Sequence, residues 1–167
     1  EVKNELYAGD ISFIGSMYNE KHNLYDRLCG VNDYTKGYLD AIMKVQRSIY
    51  GYFFLENMLK GDVLDEMMRV CPVKPNEDGV ETVQYVYANY FLARRMATDE
   101  RTDILSRVGR ELGRENKINL YTPDASVRFI NVNNKGTVDY YNEMPYVFRN
   151  SRINLNITLR SIKSGIP

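Results

Sequence analysis

Two hydrophobic patterns follow each other along the chain. The first is a short β-branched and aromatic run at residues 10–15, which predicts a buried strand that ends at a glycine in a tight loop. From about residue 23 to residue 115, apolar positions instead recur at steps of three and four, the spacing of amphipathic helices. The first helix is expected to be long, to contain Gly51, and to use the apolar positions Tyr38, Ile42, Val45, Ile49, Tyr52, Phe53 and Leu59.

Further helices are predicted in the same region. Gly61 is predicted to end the first helix, and Asp62 to cap a helix over residues 63–70. Helical spacing resumes over residues 80–96. Thr98 or Asp99 is then the expected cap of another helix. A plain βαβ crossover needs only about a dozen residues. Residues 23–115 are therefore interpreted as a large helical insertion between strands 1 and 2.

After Lys117 the pattern returns to short strands. The pattern predicts a strand over residues 118–121, an extended stretch over 127–132 and a turn over 133–136, followed by a third strand from Thr137 and Val138. It then predicts a helix capped by Asn142, with Pro145 in its first turn. A last strand is predicted over residues 152–158. Strands separated by helices indicate an α/β fold, here an incomplete Rossmann-like parallel sheet of about four strands.

The last strand alternates apolar and polar residues, with Ile153, Leu155 and Ile157 interleaved with Asn154, Asn156 and Thr158. A central parallel strand is normally apolar on both faces. Two interpretations are equally favoured. The strand lies at an edge or hydrogen-bonds neighbouring loops, or it lines a polar cleft to which Asn156 contributes.

Composition excludes several classes of protein. The 167 residues are 44% hydrophobic, enough for a core, and 22 Lys and Arg balance 22 Asp and Glu, so no net charge favours nucleic acid or an anionic membrane. No apolar run reaches the roughly 20 residues of a membrane span. Cys29, Cys71 and the single histidine His22 predict neither a metal site nor a disulfide framework, and reduced thiols favour a cytoplasmic location. The missing initiator Met and the abrupt end suggest an excised piece.

Candidate chemistry is concentrated in two loops. Gly15 and Ser16 follow the first strand, where a glycine lets the backbone approach a phosphate and the hydroxyl adds a hydrogen bond. An ordinary turn explains the same residues. Arg160 and Ser164 follow the last strand and suit a diphosphate, or else belong to a solvated basic loop. His22 is read as structural rather than as a general base, and the 14 tyrosines as packing residues rather than sugar-stacking platforms.

Six segments together resemble a known family. They are DISFIGS at 10–16, GYLD at 37–40, YGY at 50–52, NNKGTVDY at 133–140, NEMP at 142–145 and SRINLNITLRSIKSGIP at 151–167. The chain resembles the CgeB-like (spore maturation protein) glycosyltransferase-like proteins of bacteria over nearly its whole length, and the last segment is the most specific.

The resemblance implies the GT-B architecture, in which two Rossmann-like lobes hold a nucleotide-sugar donor mainly through the carboxyl-terminal lobe. Residues 1–167 would form the first part of that donor lobe. The expected donor-binding residues are Gly15, Ser16, Gly136, Val138, Asn156, Arg160, Ser164 and Gly165. Gly15 and Ser16 would face the diphosphate, and residues 136–138 would lie beside the base. Catalytic residues are unknown and expected outside this segment, so residues 1–167 alone are expected to be inactive.

The implied reaction is transfer of a sugar from a nucleotide-sugar to an envelope, spore-coat or protein acceptor. No DxD motif is present, so no metal cofactor is expected and cations such as Arg160 would stabilise the diphosphate. The alternative is a non-catalytic module whose helical insert binds a protein partner or a second copy of the chain.

Overall fold

A computed structural model describes residues 2–19 and 23–162. The chain forms two compact units. The sheet unit comprises Glu1–Asn19 and Glu100–Ile157, and the helical unit comprises Glu20–Asp99 and Thr158–Pro167. Helix α6, Ala93–Leu112, begins in the helical unit, and its residues from Glu100 onward belong to the sheet unit.

The sheet unit contains four parallel strands in the order β3-β2-β1-β4. The strands are β1 (Gly9–Ile14), β2 (Ile118–Tyr121), β3 (Val132–Asn134) and β4 (Ser151–Asn154), with helices α1 (Val2–Tyr7) and α7 (Met144–Arg149). This confirms the predicted α/β fold, with an incomplete Rossmann-like sheet and a helical insertion between the first two strands.

Each face of the sheet buries its own cluster of side chains. On one face Phe13, Leu120 and Ile157 pack with Leu105 of α6. On the other face Tyr121 packs with Tyr7 of α1 and with Val147 of α7. Both faces of β1 and β2 are therefore covered, which agrees with the burial of all four residues of β2.

Helix α6 packs closely against the segment before β3 because Gly109 in the helix and Gly113 directly after it lie there. A Cβ atom on Gly109 would lie 2.2 Å from the carbonyl oxygen of Ile130, and one on Gly113 would lie 2.4 Å from the Cβ of Asn131. Both distances are far below van der Waals contact. Only glycine at these positions allows the observed packing.

The helical unit contains α2 (Asp33–Ser48), α3 (Leu55–Met58), α4 (Gly61–Val70), α5 (Val83–Val86), a 3-10 turn at Leu24–Leu28 and a π-helical segment at Tyr87–Leu92. Its core is formed by side chains such as Leu39, Leu55, Met67, Tyr87 and Leu92.

The prediction of one long first helix is wrong. Helix α2 ends at Ser48, Ile49 is extended, and Gly51 has a φ of +83°, a backbone conformation that a helix cannot contain. Gly61 begins α4 instead of stopping the preceding helix. Helical spacing nevertheless persisted in the sequence because Phe53, Leu55 and Leu59 all face the same core.

The predicted cap at Thr98 or Asp99 is also wrong, because α6 runs through both residues. The Thr98 hydroxyl donates to the Arg94 carbonyl oxygen at 3.1 Å, and Asp99 pairs with Arg95 at 3.2 Å. Both side chains thus bond back to the preceding turn of the same helix, which lets residues that favour caps occupy its interior.

The later strand boundaries shift as well. β3 is Val132–Asn134, so the predicted turn at 133–136 is partly strand and Val138 lies beyond it. Residues 127–131 hold only an isolated bridge, between Phe129 and Val132. Glu143 occupies the cap position of α7 expected for Asn142, while Pro145 does lie in the first turn. β4 is shorter than the predicted 152–158.

Candidate functional site

The strand order reverses direction beside β1. The chain passes from β1 to β2 and β3 on one side and then returns to place β4 on the other side of β1. Open parallel sheets bind ligands at such a reversal, outside the carboxyl ends of the two strands that flank it. Here those ends are Ile14 and Asn154, so the candidate site lies between residues 15–18 and residues 155–157.

The loop after β1 is held firmly in place. The Gly15 N–H donates to the Tyr121 carbonyl oxygen at 3.0 Å, so this N–H continues the sheet and does not face a ligand. The Ser16 hydroxyl accepts from the Tyr18 N–H at 3.0 Å, and Met17 is buried in the core. Tyr18 has a φ of +52°, unusual for a residue with a side chain.

A hydrogen bond connects the loop after β2 to the loop after β1. Asp124 accepts from the Asn19 amide at 2.9 Å and from the Ser126 hydroxyl and N–H. These donors, with the Ser126 hydroxyl contributing most, hold the pKa of Asp124 below its usual value. The carboxylate therefore stays ionised and stabilises the turn at neutral pH.

Arg101 of α6 lies between the two loops that flank the reversal. Its Nε and Nη2 donate to the Ile157 carbonyl oxygen at 3.1 and 2.8 Å, and its Nη1 donates to the Ser16 carbonyl oxygen. The guanidinium carbon also lies 4.8 Å from the ring centre of Tyr18 and 5.3 Å from that of Phe13. One side chain thus connects the ends of β1 and β4.

The charge on Arg101 is unusually placed. The side chain is only 7% exposed, and burial lowers its pKa, although an arginine remains protonated at neutral pH. In the described part of the chain its guanidinium contacts are carbonyl oxygens and aromatic rings, with no carboxylate within ion-pair distance. The site therefore carries a buried positive charge. Sequence reasoning missed Arg101, which resembles any other charged residue of an amphipathic helix.

A buried hydroxyl adjoins the same edge of the sheet. Thr122 follows β2 directly and is fully buried, and its hydroxyl has no hydrogen-bond partner among residues 2–19 and 23–162. Continuing the register that pairs Ile14 with Tyr121 places Thr122 opposite Gly15. A Cβ added to Gly15 would lie 3.1 Å from the Phe13 ring and 3.7 Å from Nη1 of Arg101, so the glycine allows both side chains to approach this loop.

The other predicted residues of the sheet unit are distributed around this edge. Gly136 follows β3 with a φ of +79° and donates its N–H to the Asn134 side chain at 3.0 Å. Val138 packs against the Tyr7 and Tyr121 cluster instead of lining an open surface. Asn156 is exposed just beyond β4. Gly15, Ser16, Gly136 and Asn156 thus all follow carboxyl ends of parallel strands.

The polar face of the last strand has a structural explanation at Asn154. The Ser12 hydroxyl donates to the Asn154 side-chain oxygen at 2.6 Å, and the Asn154 amide donates to the Phe148 carbonyl oxygen at 3.1 Å. Within the described sheet, β4 is also an end strand. The interpretation as an edge strand that hydrogen-bonds its neighbours accounts for this residue.

Arg160 belongs to the helical unit. There its guanidinium donates to the Arg47 carbonyl oxygen at 3.3 Å and lies 3.6 Å from the ring centre of Tyr50. Ser164, Gly165 and His22 lie outside the described residues.

Comparison with known proteins identifies no relative, so the class of this protein is defined by its fold. No family model, curated protein or solved structure matches the chain. The fold and the candidate site define an α/β unit of the Rossmann-like class, with a buried arginine at the strand-order reversal. Over the described residues, no helix combines the length and apolarity of a membrane span, and no three acidic, cysteine or histidine side chains cluster in a way that could hold a metal ion.

Proposed function

We propose that this chain is part of the donor-binding lobe of a glycosyltransferase that takes its sugar from a nucleoside diphosphate. The observation that carries the proposal is the strand order β3-β2-β1-β4, which places the loop containing Gly15 and Ser16 at the reversal beside β1. This is where Rossmann-like sheets bind nucleotides. The resemblance to CgeB-like proteins supplies the class of reaction.

The residues at this edge suit a diphosphate. Ser16 and Asn156 place a hydroxyl and an amide side chain at this edge, and Arg101 adds a buried positive charge behind the β1 loop. When the sugar leaves for the acceptor, the leaving diphosphate gains negative charge. A fixed cation in a poorly solvated site stabilises that charge without reorganising. The proposed enzyme needs no metal ion for this step and works in the cytoplasm.

The test is a thermal-stability titration of the full-length protein with UDP, GDP, ADP and dTDP. At least one nucleotide should stabilise the protein, by about 2.7 kcal/mol at 100 times its dissociation constant. Arg101→Met should weaken that nucleotide's binding much more than binding of the corresponding uncharged nucleoside. Arg107→Met, on an exposed turn of the same helix where Arg107 pairs with Glu111, is the matched control and should leave binding unchanged.

A second candidate function is a non-catalytic interaction module. The helical unit exposes large apolar side chains, including Tyr34, Val45 and Val80, as a binding surface would. Silence with all four nucleotides would contradict the donor-site proposal and favour this one.

A further inference from the structure

The loop after α2, residues 49–54, displays two tyrosines to solvent. Tyr50 is 76% exposed and Tyr52 is 61% exposed, while Phe53 and Leu55, next along the chain, are buried in the core of the helical unit. These tyrosines are therefore not buried packing residues, and Tyr52 does not occupy the helix face that its spacing predicts. Exposed aromatic rings close together in the chain are typical of a binding surface.

The backbone of this loop is held by one buried side chain. Gln46 is 1% exposed, and its Nε2 donates to the carbonyl oxygens of Ile49 and Tyr52 at 3.2 and 2.9 Å. Its Oε1 accepts from the Phe54 N–H at 2.8 Å. The positive φ of Gly51 makes the turn between the tyrosines possible. A ligand would meet a loop that is already ordered, which reduces the entropy lost on binding.

Both rings are also oriented by neighbours. The Arg160 guanidinium stacks on one face of Tyr50, 3.6 Å from the ring centre, and the exposure of Tyr50 leaves its other face open. The Asn57 amide donates to the Tyr52 hydroxyl at 2.8 Å. The two rings are therefore held by these contacts and remain largely exposed.

A shallow polar groove begins at Asn57. Its volume is about 350 Å³, and its lining residues are Glu56, Asn57, Leu59, Lys60, Thr82 and Gln84. They include hydrogen-bond donors and acceptors, with one acidic and one basic side chain. Within the described part of the chain, no hydrogen bond or ion pair engages the side chains of Glu56, Lys60 and Gln84. These three side chains can therefore form hydrogen bonds with a ligand, and the charges of Glu56 and Lys60 cancel within the groove.

We propose that the Tyr50–Tyr52 loop and this groove bind a neutral carbohydrate chain. The apolar C–H face of a pyranose ring stacks on the negative face of an aromatic ring, and its hydroxyls both donate and accept hydrogen bonds. Within the groove the charges of Glu56 and Lys60 balance, and the Arg160 guanidinium covers the face of Tyr50 that a sugar ring would not use. A stable protein interface would instead need an apolar, water-excluding centre, which this polar groove lacks. The site lies wholly in the helical unit and does not depend on the proposed sugar transfer.

The test is an NMR titration of the full-length protein, without nucleotide, with maltohexaose, cellohexaose, chitohexaose and mannohexaose at millimolar concentrations. At least one should shift the ring signals of Tyr50 and Tyr52. Tyr50→Ala and Tyr52→Ala should each weaken that sugar's binding about tenfold, roughly the value of one aromatic contact. Tyr50→Phe keeps the ring and should retain binding, as should Tyr34→Ala, which removes another exposed tyrosine of the same unit, 71% exposed.

Gln46→Leu provides a second measurement, because it leaves both rings in place but removes the three hydrogen bonds that order the loop. With the helical content unchanged, it should weaken sugar binding and speed hydrogen exchange at the Phe54 N–H. The proposal is overturned if none of the four sugars shifts the tyrosine signals, or if Tyr34→Ala weakens binding as much as Tyr52→Ala. Self-association abolished by Tyr52→Ala, without sugar binding, would overturn it by identifying the loop as a contact between copies of the chain.

Discussion

Arg101 donates two hydrogen bonds to the carbonyl oxygen of Ile157 and connects it to the carbonyl oxygen of Ser16. The two acceptors follow β1 and β4, which are neighbours in the sheet but 142 residues apart at their paired residues Ser12 and Asn154. A single guanidinium therefore stabilises both loops at the strand-order reversal. This structural role of Arg101 does not depend on the proposed nucleotide binding.

Arg101→Met should destabilise the sheet unit by about 1–3 kcal/mol, because two carbonyl oxygens lose their charged donor and at least one stays buried without a partner. Arg101→Lys keeps the charge but not the planar fork, so its loss should be intermediate. Urea denaturation followed by circular dichroism measures both. Equal stability of Arg101→Met and the wild type would show that these hydrogen bonds contribute nothing net.

Gly109→Ala should be strongly destabilising despite the higher helix propensity of alanine. The new Cβ would lie 2.2 Å from the Ile130 carbonyl oxygen, so α6 or the segment leading into β3 must move, at a cost of about 1–3 kcal/mol.

Gly37→Ala, in α2, is the matched control, because apart from its chain neighbours and the backbone of its own helix no atom would lie within 4 Å of a Cβ added there. It should stabilise by roughly 0.5–1 kcal/mol. Thermal unfolding of the two variants should therefore shift in opposite directions. A stabilised Gly109→Ala would contradict the close packing of α6.

Glu66 should make the helical unit sensitive to acid. Its carboxylate accepts from Arg69 at 2.7 and 2.8 Å and from the Asn32 N–H at 2.9 Å, and these bonds, led by Arg69, lower the pKa of Glu66 to about 2. Because the folded pKa lies below the ordinary glutamate pKa of 4.5, the stabilisation is complete above pH 4.5 and is lost as the pH falls towards 2.

Glu66→Gln should remove this contribution. The difference in unfolding free energy between wild type and Glu66→Gln should be constant above pH 4.5 and shrink between pH 4.5 and about 2. Glu77→Gln, in the exposed loop after α4, is the control for removing a surface carboxylate from the same unit. A difference independent of pH across that window would contradict the assigned role of the Glu66 carboxylate.

The strands with the strongest local patterns were predictable. β1 and β2 are short runs in which β-branched and aromatic residues predominate, and their boundaries match the predicted ones within a residue. β3 was misplaced because Asn133 and Asn134 have the composition of a turn. Their strand conformation comes from pairing with Asn119 and Leu120, which are distant in sequence.

At the candidate site beside β1 and in the loop after α2, local signals were likewise predictable and long-range contacts were not. Gly15 and Ser16 could be predicted as candidates because a glycine after a buried strand is a local signal. Arg101 was not found, since its significance depends on Ser16 and Ile157 reaching the same guanidinium. Tyr52 was assigned to a helix face because its spacing fits one, but Gln46 stabilises a non-helical loop there by hydrogen bonds that no periodicity records.

The sequence by itself determined the α/β class, the helical insertion and the position of the first loop, because hydrophobic periodicity and glycine placement act over a few residues. The tertiary structure alone decided the strand order, the burial of the Arg101 charge and the exposure of Tyr50 and Tyr52. Those properties depend on which distant segments pack together, and packing energy outweighs local preference wherever the two disagree.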